Sequence, residues 1–150
     1  MTASTSTSTS IPNTGVLSSL IASPHFLRRV LWVDAATGLA TGVLQLLLPG
    51  FLAGLLGLPE ALLVEAGWAM LAFAAGITFL ATRQVVPLTG VGILIAANLL
   101  WVVGCIAVLF GGLVTPTITG MAFITVQAVT VAVLAELEWI GLRKASAARW

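Results

Sequence analysis

Charge is what this sequence has least of. Only 7% of its 150 residues are Asp, Glu, Lys or Arg, and 59% are hydrophobic. An ordinary soluble domain carries about 25% charged residues. So few charges cannot cover the surface of a water-soluble globule, so part of the solvent must be lipid. The formal net charge of +1 is too small to predict a nucleic-acid partner.

Residues that bind metals or form disulfides are also scarce. The single cysteine, Cys105, excludes an intrachain disulfide and a Cys-x-x-Cys motif, and its apolar surroundings predict a buried thiol. The single histidine, His25, excludes a haem held by two histidines of one chain and a histidine-rich metal site. We therefore expect neither a metal nor another cofactor.

Common catalytic motifs are missing as well. The sequence contains no G-x-S-x-G, no H-E-x-x-H, no Walker loop and no dinucleotide-binding loop. An intramembrane aspartyl mechanism needs two carboxylates placed together, and only Asp34 with Glu136 or Glu138 offers such a pairing. These absences predict a protein without catalytic activity.

Long apolar runs are what the sequence does contain. Four runs reach the length of about 20 residues that a membrane-spanning helix needs, namely 30–48, 61–80, 88–110 and 118–140. Pro and Gly bound these runs and leave their interiors free of Pro. They predict an all-α membrane protein, with a four-transmembrane-helix antiparallel bundle over residues 26–144. The segment PGFLAGLLGLPE predicts a short interfacial helix between the first two spans.

The basic residues predict the direction of the spans. All six lie before the first span, between the second and third, or after the fourth, namely Arg28, Arg29, Arg83, Arg143, Lys144 and Arg149. With four spans these places share one face, so the positive-inside rule puts both termini in the cytoplasm. We predict that residues 1–25 form a disordered Ser/Thr-rich tail and that residues 145–150 form a short cytoplasmic tail.

Small and polar residues line one face of each predicted helix. Helical periodicity places Asp34, Gly38 and Gln45 on one stripe of the first span. Gly38 and Gly42 form the small-xxx-small pattern that allows membrane helices to approach closely, and Gly76 lies on a similar stripe of the second span. We therefore predict that these three glycines lie where helices pack together and that Trp101 packs against its neighbours.

A rise of about 1.5 Å per residue sorts the polar residues into three layers. Asp34, Arg83, Glu136 and Glu138 form a predicted cluster near the cytoplasmic side. The other polar residues form a predicted mid-membrane pair, Asn98 and Gln127, and a predicted outer pair, Gln45 and Glu65.

Asp34 is the residue that most needs an explanation. A charge at the membrane centre costs about 2.5 to 3.5 kcal/mol on insertion scales, and less near an interface. Protonation, pairing with an arginine or a wet vestibule lowers that cost. Its predicted shallow depth favours structural pairing with an arginine, and a proton, ion or ligand role is the alternative.

Three stretches carry a resemblance to known proteins. LWVDAATG at 31–38, AANLLWV at 96–102 and LAELEWIGLRK at 134–144 resemble a group of small bacterial four-helix integral membrane proteins of unassigned function. The resemblance covers residues 26–144 and implies a bacterial inner (plasma) membrane. It implies no activity.

Two functions remain open from the sequence. An accessory or structural subunit needs only tight helices and glycine faces for association with a second copy or another membrane protein. An oligomeric transporter or channel-like protein would use the Asp/Glu cluster to pass protons, ions or small molecules. The sequence favours the accessory subunit.

Overall fold

The computed structural model describes residues 25–147, and five helices make up most of that range. They are α1 (Phe26–Leu47), α2 (Pro49–Leu56), α3 (Glu60–Thr82), α4 (Leu88–Phe110) and α5 (Ile118–Ala147). Residues 1–24, which hold nearly all of the predicted N-terminal tail, and residues 148–150 lie outside the described residues.

Proline and glycine set most of the helix boundaries. Pro49 begins α2, where a missing N–H costs no hydrogen bond, and Gly57 ends α2 in the left-handed conformation with φ of 66°. Pro59 and Pro87 immediately precede α3 and α4. The helices differ from the prediction mainly at two ends, because α1 begins at Phe26 and α5 continues to Ala147.

The four long helices are each apolar and long enough to cross a membrane. This confirms the prediction of an all-helical protein with four candidate spans. Large apolar side chains are exposed on each of them, including Leu47, Phe79, Leu100 and Val126. Exposed apolar surface of this extent is unfavourable in water and favourable in lipid.

The helices associate mainly as two pairs. Helix α1 packs most extensively on α3, and α4 on α5, whereas α3 and α4 touch little although they are consecutive. Close backbone approach at Gly42 and Gly67 explains the first pair: a Cβ added to Gly42 would lie 3.0 Å from the carbonyl oxygen of Gly67. Helix α1 joins the two pairs through contacts with α5, where Gly141 packs against Leu27.

Two apolar clusters form the core. The Leu31 cluster takes residues from the start of α1, the end of α3 and the start of α4, namely Leu27, Leu31, Ala35, Ile77, Ala81, Val91, Leu94 and Ile95. The Leu56 cluster takes residues from α2, the start of α3, the end of α4 and α5, namely Leu52, Leu56, Leu58, Leu63, Cys105 and Ile124. Cys105 is a buried free thiol, as predicted.

Helix α2 is held at the Leu56 cluster by Thr117. The backbone N–H of Thr117 donates to the carbonyl oxygen of Leu56 at 2.9 Å, and its hydroxyl donates to the carbonyl oxygen of Leu55 at 2.8 Å. These bonds satisfy carbonyls that the end of a helix otherwise leaves unpaired. Gly120 follows one turn later and packs directly on the Leu56 backbone, where no Cβ would fit.

Candidate functional site

Three polar side chains from three helices meet inside the protein and form what we call the carboxyl cluster. Asp34 on α1, Asn98 on α4 and Glu138 on α5 expose 4%, 2% and 0% of their surface. The side-chain nitrogen of Asn98 donates to Oδ2 of Asp34 at 3.1 Å and to Oε2 of Glu138 at 3.2 Å. The two N–H groups of one amide thus serve two carboxyl groups.

The local sequence directs these side chains inward. Asp34 lies three residues after Leu31, and Asn98 lies three residues after Ile95, so each shares a helix face with a member of the Leu31 cluster. Glu138 follows the buried Ala135 by three residues and precedes Gly141 by three. Because Gly141 has no side chain, α1 and α5 approach closely beside the cluster.

The two carboxyl groups share one donor, the side-chain amide of Asn98. One oxygen of Glu138, Oε1, is buried and has no hydrogen-bond partner among the described residues. Carboxylate oxygens are acceptors only, so a direct hydrogen bond between two carboxyl groups requires a proton on one of them. The cluster therefore offers a proton two buried carboxyl groups that share one amide donor.

Three arginine side chains make other contacts. Arg28 donates to the carbonyl oxygens of Arg83 at 2.5 Å and Gln84 at 3.1 Å. The guanidinium of Arg83 lies 3.9 Å from the centre of the Phe79 ring, and that of Arg143 lies over Trp139. The structure therefore gives Asp34 an amide partner in place of the predicted arginine.

The predicted cluster of four charged residues is divided in the structure. Asp34 and Glu138 are brought together, whereas Arg83 and Glu136 are both exposed. Glu136 is two residues from Glu138, and a helix turns about 200° over two residues, so the two side chains leave α5 on different sides. Arg83 follows the end of α3.

The two predicted polar pairs do not form hydrogen bonds within each pair. The amide nitrogen of Asn98 is used by the carboxyl groups, and Nε2 of Gln127 is buried without a partner in the described part of the chain. Gln45 is buried with Oε1 unpartnered, whereas Glu65 is exposed. Members of each pair nevertheless line a common cavity.

The three predicted packing glycines differ in their surroundings. Gly42 is in close contact with α3, and a Cβ on Gly38 would make ordinary van der Waals contact with Ala74 at 3.7 Å. Gly76 is exposed, and a Cβ there would have no atom within 4 Å. Of these three glycines, Gly38 and Gly42 on α1 therefore face atoms of α3, and Gly76 faces open space among the described residues.

Two members of the carboxyl cluster, Asp34 and Asn98, line a cavity of about 450 Å³ that we call the Asp34 pocket, whereas Glu138 lies outside its lining. Its lining comes from all four long helices and includes Asp34, Asn98, Thr37, Met70, Phe73 and Thr130. A volume of this size is typical of small-molecule sites. Among the described residues no group of three or more His, Cys, Asp or Glu side chains is arranged to hold a metal ion.

Comparisons of this chain with protein-family models, with curated proteins and with solved structures give no match. The geometry of the site is therefore the basis for assigning a function.

The hydrogen bonds of Asn98 to both carboxyl groups were not predicted, although the sequence stretches quoted above contain all three residues. The stretches LWVDAATG, AANLLWV and LAELEWIGLRK each contain one member of the cluster.

Proposed function

We propose that this protein is a multi-pass protein of the bacterial inner (plasma) membrane, whose four long helices form an antiparallel bundle with both termini in the cytoplasm. Contacts between the start of α1 and the end of α5, and between the end of α1 and the start of α3, support the antiparallel arrangement. The segregation of the basic residues supports the orientation. Helix α2 then lies at the outer interface, and a topology reporter at Thr115 is expected outside the cytoplasm.

Within that membrane we propose that the carboxyl cluster binds a proton reversibly and that protons, together with any small solute held in the Asp34 pocket, pass through that pocket. The proposed activity is transport without chemical conversion of the solute. The observation that carries the proposal is the pair of buried carboxyl groups on one amide, with Glu138 fully buried and its Oε1 without a partner in the range 25–147.

The cost of buried charge supports this proposal. Two negative charges beside each other within the membrane would be destabilised by desolvation and by mutual repulsion. One amide offsets part of that cost, and a bound proton or a cationic solute offsets more. Release of the proton then changes the charge of the pocket wall, which alters the affinity for any solute held there. Ionisable groups buried in membrane helices commonly mark such pathways.

Infrared difference spectroscopy on protein in lipid nanodiscs tests the proton site directly. A pH jump is expected to produce a carboxylic-acid C=O band that is lost in both Asp34→Asn and Glu138→Gln. Proton flux into liposomes that contain a pH-sensitive dye is expected to fall at least tenfold in the same two variants. The flux assay tests passage separately from proton binding.

Glu136→Gln is the matched control, because Glu136 is an exposed carboxylate on the same helix two residues away. It is expected to keep both the C=O band and the flux. If the C=O band persists in both Asp34→Asn and Glu138→Gln, the carboxyl cluster is not the proton site. If the proton flux of the wild-type protein is no greater than that of empty liposomes, the transport role is wrong. The proposal of proton binding would then still stand.

An accessory or structural subunit is the second candidate, and a specific observation favours it. Gly76, Gly92 and Gly104 lie on α3 and α4, and a Cβ added to any of them would have no atom within 4 Å. Small residues on an open helix face allow a second membrane protein, or a second copy of this chain, to pack closely. Native mass spectrometry from nanodiscs tests this candidate, with Gly76→Leu expected to reduce any complex. A wild-type protein that is monomeric and without co-purifying protein would contradict it.

A further inference from the structure

A second cavity lies beside the Asp34 pocket, and we call it the central cavity. Its volume is about 350 Å³, and all four long helices contribute to its lining. Both cavities share part of their walls, formed by Ala69, Trp101, Phe123 and Gln127. The carboxyl groups of Asp34 and Glu138 line none of the central cavity, so this site is distinct from the carboxyl cluster.

Three buried polar atoms around the central cavity lack hydrogen-bond partners in the described part of the chain. They are Oε1 of Gln45, Nε1 of Trp101 and Nε2 of Gln127. All three residues line the cavity, and Gln45 exposes only 2% of its surface. A buried polar group without a partner costs about 1 to 3 kcal/mol, so three around one cavity indicate that an occupant supplies the missing bonds.

The rest of the lining defines what kind of occupant fits. It is mainly aliphatic and aromatic, with Leu62, Leu63, Val108, Phe123 and Ile124 among its members. A purely aqueous filling is unfavourable against such walls, since each buried water needs two to four polar partners. An apolar body with one polar group matches this lining better than a chain of waters does.

The chemistry of the three atoms selects the polar group. The indole N–H of Trp101 and the amide N–H groups of Gln127 donate, and the amide oxygen of Gln45 accepts. A hydroxyl both accepts and donates, so it can accept from Trp101 or Gln127 and can donate to Gln45. It also suits either orientation of the two amides. The three buried atoms carry no formal charge, and the one charged residue of the lining, Glu65, is exposed.

The cavity reaches the protein surface between α3 and α4. Glu65 and Ala69 of α3 and Gly104 of α4 line it and are exposed. These two helices make the least extensive contact of the neighbouring long helices. In the proposed membrane orientation this side opening faces lipid, so a lipid-soluble molecule can enter without crossing water.

From these observations we infer that the central cavity binds a small, uncharged, lipid-soluble alcohol or phenol, held by Gln45, Trp101 and Gln127. This site goes beyond the proposed proton site and does not depend on it.

Binding of 4-nonylphenol and of nonylbenzene to full-length protein in nanodiscs tests the inference. The two probes differ by one hydroxyl, so their contact with apolar walls is similar, and affinities are expressed per mole fraction of probe in the lipid to remove their different partition from water. We expect saturable binding of the phenol and affinity at least tenfold weaker for the hydrocarbon, which is the effect of losing about one hydrogen bond. Equal affinities, or signals that rise linearly without saturation, would overturn the inference.

Glutamine-to-leucine variants identify the site. Gln45→Leu and Gln127→Leu are each expected to reduce the preference for the phenol severalfold, and together to abolish it. Gln84→Leu is the matched control, because Gln84 is exposed and lies outside the central cavity. A double variant that folds and keeps the preference would contradict the assignment. If the double variant does not fold, Trp101→Phe tests the same point by removing one donor.

Cys105 provides an independent reporter that needs no substitution. It is the only cysteine of the chain, it is 7% exposed, and it lines the central cavity. Bound 4-nonylphenol is expected to slow alkylation of Cys105 by a membrane-permeable maleimide at least threefold, whereas nonylbenzene at the same concentration changes the rate little. An identical alkylation rate with and without saturating phenol would place the phenol elsewhere.

Discussion

The carboxyl cluster and the central cavity each contain three buried polar groups, yet they differ in how those groups are satisfied. At the carboxyl cluster one amide of α4 bonds to carboxyl groups of α1 and α5. At the central cavity Gln45, Trp101 and Gln127 leave one buried atom each without a partner among the described residues. The first set of polar groups holds helices together, and the second leaves its hydrogen bonds available for an occupant.

Removing the shared amide should have the largest effect on stability. We expect Asn98→Leu to lower the free energy of unfolding by about 2 to 3 kcal/mol, because two buried carboxyl groups lose their common donor. The triple variant Asp34→Leu, Asn98→Leu, Glu138→Leu should recover most of that loss, since replacing a whole buried polar set by apolar residues is close to neutral. Reversible unfolding in mixed micelles measures both. A fully stable Asn98→Leu would mean that the amide does not hold the helices together.

The next largest effect is expected at the α1–α3 contact, and Gly42 and Gly76 provide the comparison. A Cβ on Gly42 would lie 3.0 Å from a backbone oxygen and 3.2 Å from the Cβ of Met70, so Gly42→Val must separate the helices. We expect a loss of about 1 to 3 kcal/mol. Gly76→Val adds the same side chain to open space, and its effect should stay within about 0.5 kcal/mol. Similar losses in both variants would contradict the close approach at Gly42.

A smaller effect of opposite sign is expected at the central cavity. Gln45→Leu removes a buried oxygen that has no partner within residues 25–147, so it should stabilise the empty protein by about 1 kcal/mol. Unfolding in the same micelles, without added alcohol or phenol, measures the change. Destabilisation comparable to that of Asn98→Leu would show that the Gln45 oxygen is already bonded, and the contrast between the two sites would disappear.

The smallest effect is expected for Arg83, which the sequence placed with Asp34. The structure places the Arg83 guanidinium over Phe79 instead. The coupling energy between Arg83→Gln and Asp34→Asn in a double-mutant cycle should therefore be below about 0.5 kcal/mol. A coupling of 2 kcal/mol or more would restore the predicted ion pair and weaken the proposal of a proton on the carboxyl cluster.

Much of the fold could be predicted because its signals are local. The apolar runs and their Pro and Gly boundaries predicted all four long helices and α2, and α4 was predicted without error at either end. The ends of α1 and α5 were less predictable, because polar residues such as Arg28 and Lys144 continue a helix beyond its apolar segment. Residues that favour a helix can extend it beyond the apolar residues that span the membrane.

The candidate site was only partly predictable. Asp34, Asn98 and Glu138 were each predicted to belong to a polar layer, but counting residues from the helix ends placed Asn98 in a different layer from the carboxylates. That count treats the helices as straight rods that start in one plane. Asp34 lies eight residues into α1 and Asn98 ten into α4, so a small offset or tilt between the helices brings them to the same level.

The sequence by itself determined the helices, their apolar surfaces and which faces carry polar residues, because composition and periodicity act within a few neighbouring residues. Only the tertiary structure decided which polar residues meet. Asn98 bonds to two carboxyl groups rather than to Gln127, and Asp34 lies beside an amide rather than an arginine. That choice depends on helix rotation, offset and close approach at glycines such as Gly42 and Gly141, which arise from packing across the whole molecule.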